Sequence, residues 1–184
     1  MRSARNILEA AAVLFSEKGI AETSVDDIVL RAGSSKGTFY HHYESKSALL
    51  AALRQSVVDE FEADLDAVLE TRAGQGPDVR LDAWVSAACD WYIRSADQLH
   101  DIAWSNYPGS RWTVGNTRII TGLTDLLVQG QKKGIFVVNN PHSTATFILR
   151  GMLGAIDDLI LSEKSLKEIK PEMVALARRS VGLP

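Results

Sequence analysis

Apolar residues recur every three or four positions along most of this chain. Ile7, Leu8, Ala11, Leu14 and Phe15 form one stripe over Ala4 to Lys18, which predicts a helix closed by Gly19 at its C′ position. A short amphipathic stretch, Thr23 to Ala32, turns Ile28 and Ala32 inward. Thr23 or Ser24 caps it, and Asp26 and Asp27 in its first turn suit the helix dipole. Gly33 comes next, and Ser35 caps a further short helix. Ser45 then starts a long one to about Thr71, in which Leu49, Leu50, Leu53, Val57, Phe61, Leu65 and Val68 keep the spacing. The run Ala73-Gly74-Gln75-Gly76-Pro77 is the clearest break. Beyond it the pattern predicts helices over Pro77–Ala96, Gln98–Asn106, Arg111–Lys133, Pro141–Ser162 and Pro171–Val181, and no strand. The expected class is all-α, with about nine helices.

Two short helices joined by a tight turn, with glycine free to take φ > 0 at the bend, make a helix-turn-helix. With Phe39 inward, the rotation of 100° per residue puts Tyr43 on the same face and Gly37 and His41 nearly opposite. Thr38 and Tyr40 flank that outer face, and Lys36 stands at its start. Such a surface suits close approach to a DNA major groove. Lys36, Thr38 and His41 are the candidates for base edges, and Tyr40 and His42 for phosphates. Ser35 is placed to serve both its helix and a phosphate. Gly37 reads either as a trimmed side chain that lets backbone approach DNA or as a helix start that tolerates glycine. Thr23 and Ser24 stand open between DNA contact and capping alone. Neighbouring His41 and His42 diverge by 100°, so they do not form a metal site, and none is expected.

The segments Thr23-Ser24-Val25-Asp26-Asp27-Ile28, Ala32-Gly33, Ser35-Lys36-Gly37-Thr38-Phe39-Tyr40-His41-His42-Tyr43 and Ser45-Lys46-Ser47-Ala48-Leu49-Leu50 resemble the DNA-binding region of TetR-family transcriptional regulators. The resemblance covers roughly the first fifty residues. Ser34 departs from the family's usual aliphatic residue, and Tyr43 from its commoner Phe. The resemblance implies a three-helix DNA-binding domain over residues 1–46 and a helical effector-binding and dimerisation domain over 47–184, with 45–71 as connecting helix. It favours the trimmed-backbone role for Gly37 and implies a phosphate contact for Lys46.

Charge complicates that picture. The whole chain carries a formal net charge of −3. Within residues 1–46, Arg2, Arg5, Lys18, Arg31, Lys36 and Lys46 are balanced by Glu9, Glu17, Glu22, Asp26, Asp27 and Glu44. DNA binding would then rest on where charges lie and on backbone N–H groups at helix starts. Arg2 and Arg5 read as a flexible basic arm. Single Cys89 leaves no internal disulfide, and it reads as a small buried hydrophobe. No apolar run approaches a membrane span and no secretory segment opens the chain, so a soluble cytoplasmic protein is expected.

Two features stand out after the break. Trp84, Trp91, Tyr92, Trp104, Tyr107 and Trp112 hold all four tryptophans of the chain. Four indoles, each needing a partner for its N–H when buried, suggest an aromatic-lined effector pocket more than a simple core. Asp90, Arg94, His100, Asn106, Asn116 and Arg118 are available polar partners. The second feature is Phe147 to Leu161, apolar on nearly all sides, with Gly151 and Gly154 allowing close helix approach. Together with the terminal helix it suggests half of a four-helix bundle completed by a second copy. The interface residues expected are Phe147, Gly151, Gly154, Ala155, Leu159, Met173, Leu176 and Ala177.

The leading function is a ligand-responsive regulator, by resemblance most often a repressor, that binds a palindromic double-stranded DNA operator as a homodimer and is released by a small hydrophobic or aromatic effector. An enzyme is the second class. No nucleophile elbow, phosphate loop, dinucleotide fingerprint or metal constellation occurs, so no catalytic residue and no cofactor are expected. The third class is an architectural or ligand-carrying helical protein without operator specificity.

Overall fold

The computed structural model describes residues 2–104, 118–162 and 168–184, and the side chains of 2, 96–104 and 161 fall outside that description. Among the described residues every regular element is helical: α1 (Arg2–Lys18), α2 (Val25–Arg31), α3 (Lys36–His42), α4 (Lys46–Thr71), α5 (Pro77–Trp104), α6 (Arg118–Lys132), α7 (Pro141–Leu161) and α8 (Ile169–Ser180). Two expectations change. Residues 98–104 continue α5 instead of forming a helix of their own, because Ser95-Ala96-Asp97 offers no glycine or proline to stop it. The supposed basic arm is the first turn of α1, where Arg5 Nε lies 2.7 Å from Glu9 Oε1 one turn on. No helix among the described residues is long and apolar enough to cross a membrane.

The chain divides into two compact units, one of residues 1–59 with 95–112 and one of 60–94 with 113–184. In the first, α1 packs on α2 and α3, and α2 packs on α3. The helices meet over Ile7, Ala11, Phe15, Ile28, Phe39 and Leu49, all fully buried. Burying a side chain such as Phe39 is worth roughly 1.5–3 kcal/mol, so seven-residue helices hold by packing and not by propensity. Tyr43, at the C-cap of α3, extends the contact by donating from its hydroxyl to Ala4 O at 3.3 Å.

The turn between α2 and α3 is set by Gly33. Its φ of +59° lets the Gly33 and Ser34 amides return to Leu30 O and Val29 O at 3.2 and 2.9 Å. Those two bonds satisfy the last carbonyls of α2 and aim the chain directly into α3.

In the second unit α7 packs against both α6 and α8. Leu123, Leu127, Leu149 and Ile156 are among its fully buried residues. Gly130 is required by packing, since a Cβ there would collide with the ring of Phe136. Asn140 caps α7 through Ser143 N, with Pro141 at its first position.

Candidate nucleic-acid interface

Helix α3 turns one side inward and one outward. Phe39 is fully buried, while Ser35, Lys36, Gly37, Tyr40, His41 and His42 are exposed and Thr38 is half-buried. Ser35 is the N-cap. Its Oγ accepts from Thr38 N at 3.1 Å and lies 2.9 Å from Thr38 Oγ1. Tyr40 is 55% exposed and packs edge-on against Phe39, with ring centroids 5.2 Å apart. The rings of His41 and His42 are also edge-to-face, at 5.0 Å.

Gly37 has no reason in the fold to be glycine. Its φ lies outside the left-handed region, and a Cβ would meet only Ser35 Oγ, at 3.7 Å. Glycine in a helix costs about 0.5–1 kcal/mol relative to alanine. The residue therefore reduces stability on the outward face while fitting nothing inside.

At the other end of the surface, Ser24 caps α2 in a reciprocal capping box. Asp27 N donates to Ser24 Oγ at 3.1 Å, and Ser24 N donates to Asp27 Oδ2 at 2.9 Å. Lys18 Nζ lies 2.7 Å from the same carboxylate oxygen. Lys18, then the Ser24 hydroxyl and amide, hold the Asp27 carboxyl well below the usual carboxylate range. Thr23 is only 1% exposed, and its hydroxyl donates to Gly19 O at 2.7 Å.

The neutrality of this end takes the form of ion pairs. Besides Lys18–Asp27 and Arg5–Glu9, Arg31 meets Glu17 through two bonds of 2.6 and 3.1 Å, and Lys36 Nζ lies 2.8 Å from Asp26 Oδ1. The Asp26 bond raises the Lys36 pKa above its ordinary value. Lys46 is bound differently, by main chain. Its ammonium donates to three carbonyls, Ile20 O at 2.8 Å, Ala21 O at 3.3 Å and Thr23 O at 2.8 Å.

Elsewhere the aromatic residues expected around an effector divide. Trp84, Trp91 and Tyr92 are all buried in α5, and Trp91 stacks on Phe61 of α4 with centroids 4.4 Å apart. The Tyr92 hydroxyl donates to Asp157 Oδ1 at 2.5 Å. Trp84 borders a cavity of about 10 Å³, scarcely room for one water. Trp104, Tyr107 and Trp112 lie outside the described residues, as do His100, Asn106 and Asn116 among the polar candidates. Asp90, Arg94 and Arg118 pair with Lys170, Asp64 and Asp66 respectively. Sequence reading took Phe61 only as part of the α4 stripe and passed over Asp157, although Asp157 interrupts the apolar run of α7. Burial pushes the Cys89 thiol up to about 12, so it stays protonated and unreactive near neutral pH.

The residues expected at a subunit interface lie on α7 and α8. Phe147 is 69% and Leu176 46% exposed, and Gly151 and Gly154 are exposed as well. Ala155 and Leu159 are half-buried, while Met173 and Ala177 are buried. Phe147, Gly151, Ala155, Met173, Leu176 and Ala177 border one apolar groove of about 140 Å³, of which Gly154 and Leu159 are not part.

These features define an all-helical protein with an N-terminal helix-turn-helix and a second helical unit. Residues 7–53 match the family described as bacterial regulatory proteins, tetR family. Over 52 residues the chain is 44% identical to an HTH-type transcriptional regulator of Bacillus subtilis, YvdT, covering 28% of this chain and 27% of that protein. It is 37% identical over 54 residues to the HTH-type transcriptional repressor KstR2 of Rhodococcus jostii, covering 29% and 26%. The match thus spans about a quarter of the length of these relatives. The fold extends further. A bacterial regulatory protein of the tetR family from Rhodococcus RHA1 superposes with a TM-score of 0.76 at 22% identity, covering 100% of this chain and 99% of that one. Residues 7–53 thus carry the N-terminal region of the tetR family, and the chain as a whole has the fold of solved tetR-family regulators.

Proposed function

We propose that this chain is a transcriptional repressor that binds a palindromic operator as a homodimer and is released by a small hydrophobic or aromatic molecule. The observation that carries the DNA-binding part is Gly37, a glycine on the exposed face of α3 with neither a φ nor a contact that calls for one. Backbone that comes down onto DNA accounts for it better than a helix start that merely tolerates glycine. Lys36, Thr38 and His41 surround it with groups suited to base edges, and Ser35, Tyr40 and His42 flank it toward phosphates.

The second copy is supported by the groove on α7 and α8. It is apolar, and Phe147 projects from its own rim. A twofold axis lets each Phe147 enter the partner's groove, as an isologous contact requires. The effector role rests on the aromatic residues of α5 and on the half-buried Tyr92–Asp157 bond, a polar anchor beside apolar neighbours. Exchange between two dimer geometries would couple the two sites, typically by 1–3 kcal/mol.

The test is fluorescence anisotropy with palindromic duplexes enriched from a random library by the wild-type chain. Binding that weakens steeply with salt, and is abolished by Tyr40→Ala, supports the reading. Indifference of the wild-type protein to every duplex at low ionic strength ends it.

A further inference from the structure

Family resemblance assigns Lys46 to a phosphate, yet its ammonium is already saturated. A lysine has three N–H donors, and here all three have main-chain acceptors: Ile20 O, Ala21 O and Thr23 O. These carbonyls belong to the turn between α1 and α2. The Thr23 hydroxyl holds the same turn from within by donating to Gly19 O at 2.7 Å. Lys46 stands in the first turn of α4, which Ser45 caps through Ala48 N at 3.1 Å. One side chain therefore ties the start of α4 to the turn that delivers Ser24.

The tie bears on the DNA surface through the peptide joining Thr23 to Ser24. It is held from both ends, its oxygen by Lys46 and its nitrogen by Asp27 Oδ2 at 2.9 Å. That peptide opens α2, and α2 packs directly on α3, the helix that presents Gly37 and Tyr40. Reaching a phosphate itself would require Lys46 to abandon at least one carbonyl and leave it without a charged donor.

We propose that Lys46 is a positioning residue, whose ammonium gathers the Ile20, Ala21 and Thr23 carbonyls and so fixes α2, the helix on which α3 packs, without neutralising a phosphate. This rests on the DNA-binding reading above. Two full-length variants test it. Lys46→Met keeps the stem and removes the donors. Lys46→Arg keeps the charge, but its planar fork does not match three carbonyls converging on one point.

Each protein is titrated with a random-sequence duplex over a series of KCl concentrations, and amide hydrogen exchange is measured over residues 19–27. The expected result is faster exchange in that turn for both variants and about tenfold weaker binding, with the slope of log K against log salt unchanged. A slope reduced by about one unit in Lys46→Met, restored by Lys46→Arg while the turn stays protected, overturns the proposal in favour of a phosphate contact. If Lys46→Met fails to fold, Lys46→Arg decides: wild-type affinity and protection overturn the proposal, and impairment of both supports it. Should wild-type protein bind no duplex, the DNA-binding reading fails separately. Exchange then still judges the tie, and unchanged protection in the variants overturns it.

Discussion

Lys36 and Asp26 meet across the α2–α3 turn, with Nζ 2.8 Å from Oδ1. One residue begins α3 and the other lies in the first turn of α2. Both side chains are more than half exposed, so the pair adds little to folding stability. Its consequence falls on DNA binding, because Lys36 must leave Asp26 to meet a base or a phosphate. Asp26→Asn is expected to lower the melting temperature by no more than about 4 °C, from the lost dipole interaction of about 0.3–1 kcal/mol, and to strengthen binding to random-sequence duplex by about three- to tenfold. The salt slope should steepen by up to about one unit. Discrimination between operator and random duplex should narrow, since the freed lysine gains on every phosphate. Equal affinities in anisotropy titrations of the two proteins would show that the pair does not compete with DNA.

Gly37→Ala separates two effects of opposite sign. A Cβ meets nothing closer than Ser35 Oγ at 3.7 Å, so the folded protein accommodates it. Helix propensity then favours alanine by about 0.5–1 kcal/mol, which in a chain of this size raises the melting temperature by about 1–4 °C. Binding should fall by at least about tenfold, because the new methyl group meets the duplex. Calorimetry and anisotropy on one preparation check both signs together. A variant that is more stable and binds as well as wild type removes the reason for a glycine there.

How far the sequence reached depends on what each signal measures. Periodicity placed α4, α7 and α8 to within about two residues, because those stripes record a buried face that the helices do possess. It divided α5 in two, since a weakening stripe at residues 96–98 looks like an end although no breaker is present. Gly33 and Ser35 were legible because turn and cap geometry is local. Lys46 was not: its three acceptors lie 23 to 26 residues earlier, and no local rule links a lysine to a distant turn. Asp26 was read as a dipole partner for α2, which left out its second neighbour, Lys36. The tryptophans illustrate the same limit, since composition marks a cluster but not which side of each ring faces solvent.

Trp91 is 3% exposed and stacks on Phe61, which makes it a packing residue whatever else it does. Trp91→Ala is therefore expected to destabilise the chain by about 3–5 kcal/mol, seen as a lower midpoint in urea. Trp91→Phe keeps a ring against Phe61 and should recover most of that loss. Ligand response is best judged in the phenylalanine variant, where lost induction is not confused with lost fold. An alanine variant with an unchanged midpoint would mean that the stack contributes nothing.

The α7–α8 face gives a prediction that leaves each folded subunit intact. Phe147 is 69% exposed, so a charge there disturbs no core, whereas Ile148 beside it is buried. In a twofold pair, Phe147→Glu would bury two carboxylates in apolar grooves at a cost of several kcal/mol each. The variant should retain its helical circular dichroism and sediment as a monomer where the wild type sediments as a dimer. Operator affinity should fall steeply while weak binding to a half-site survives, because α3 is untouched. A Phe147→Glu protein that remains dimeric at micromolar concentration places the subunit contact somewhere other than this groove.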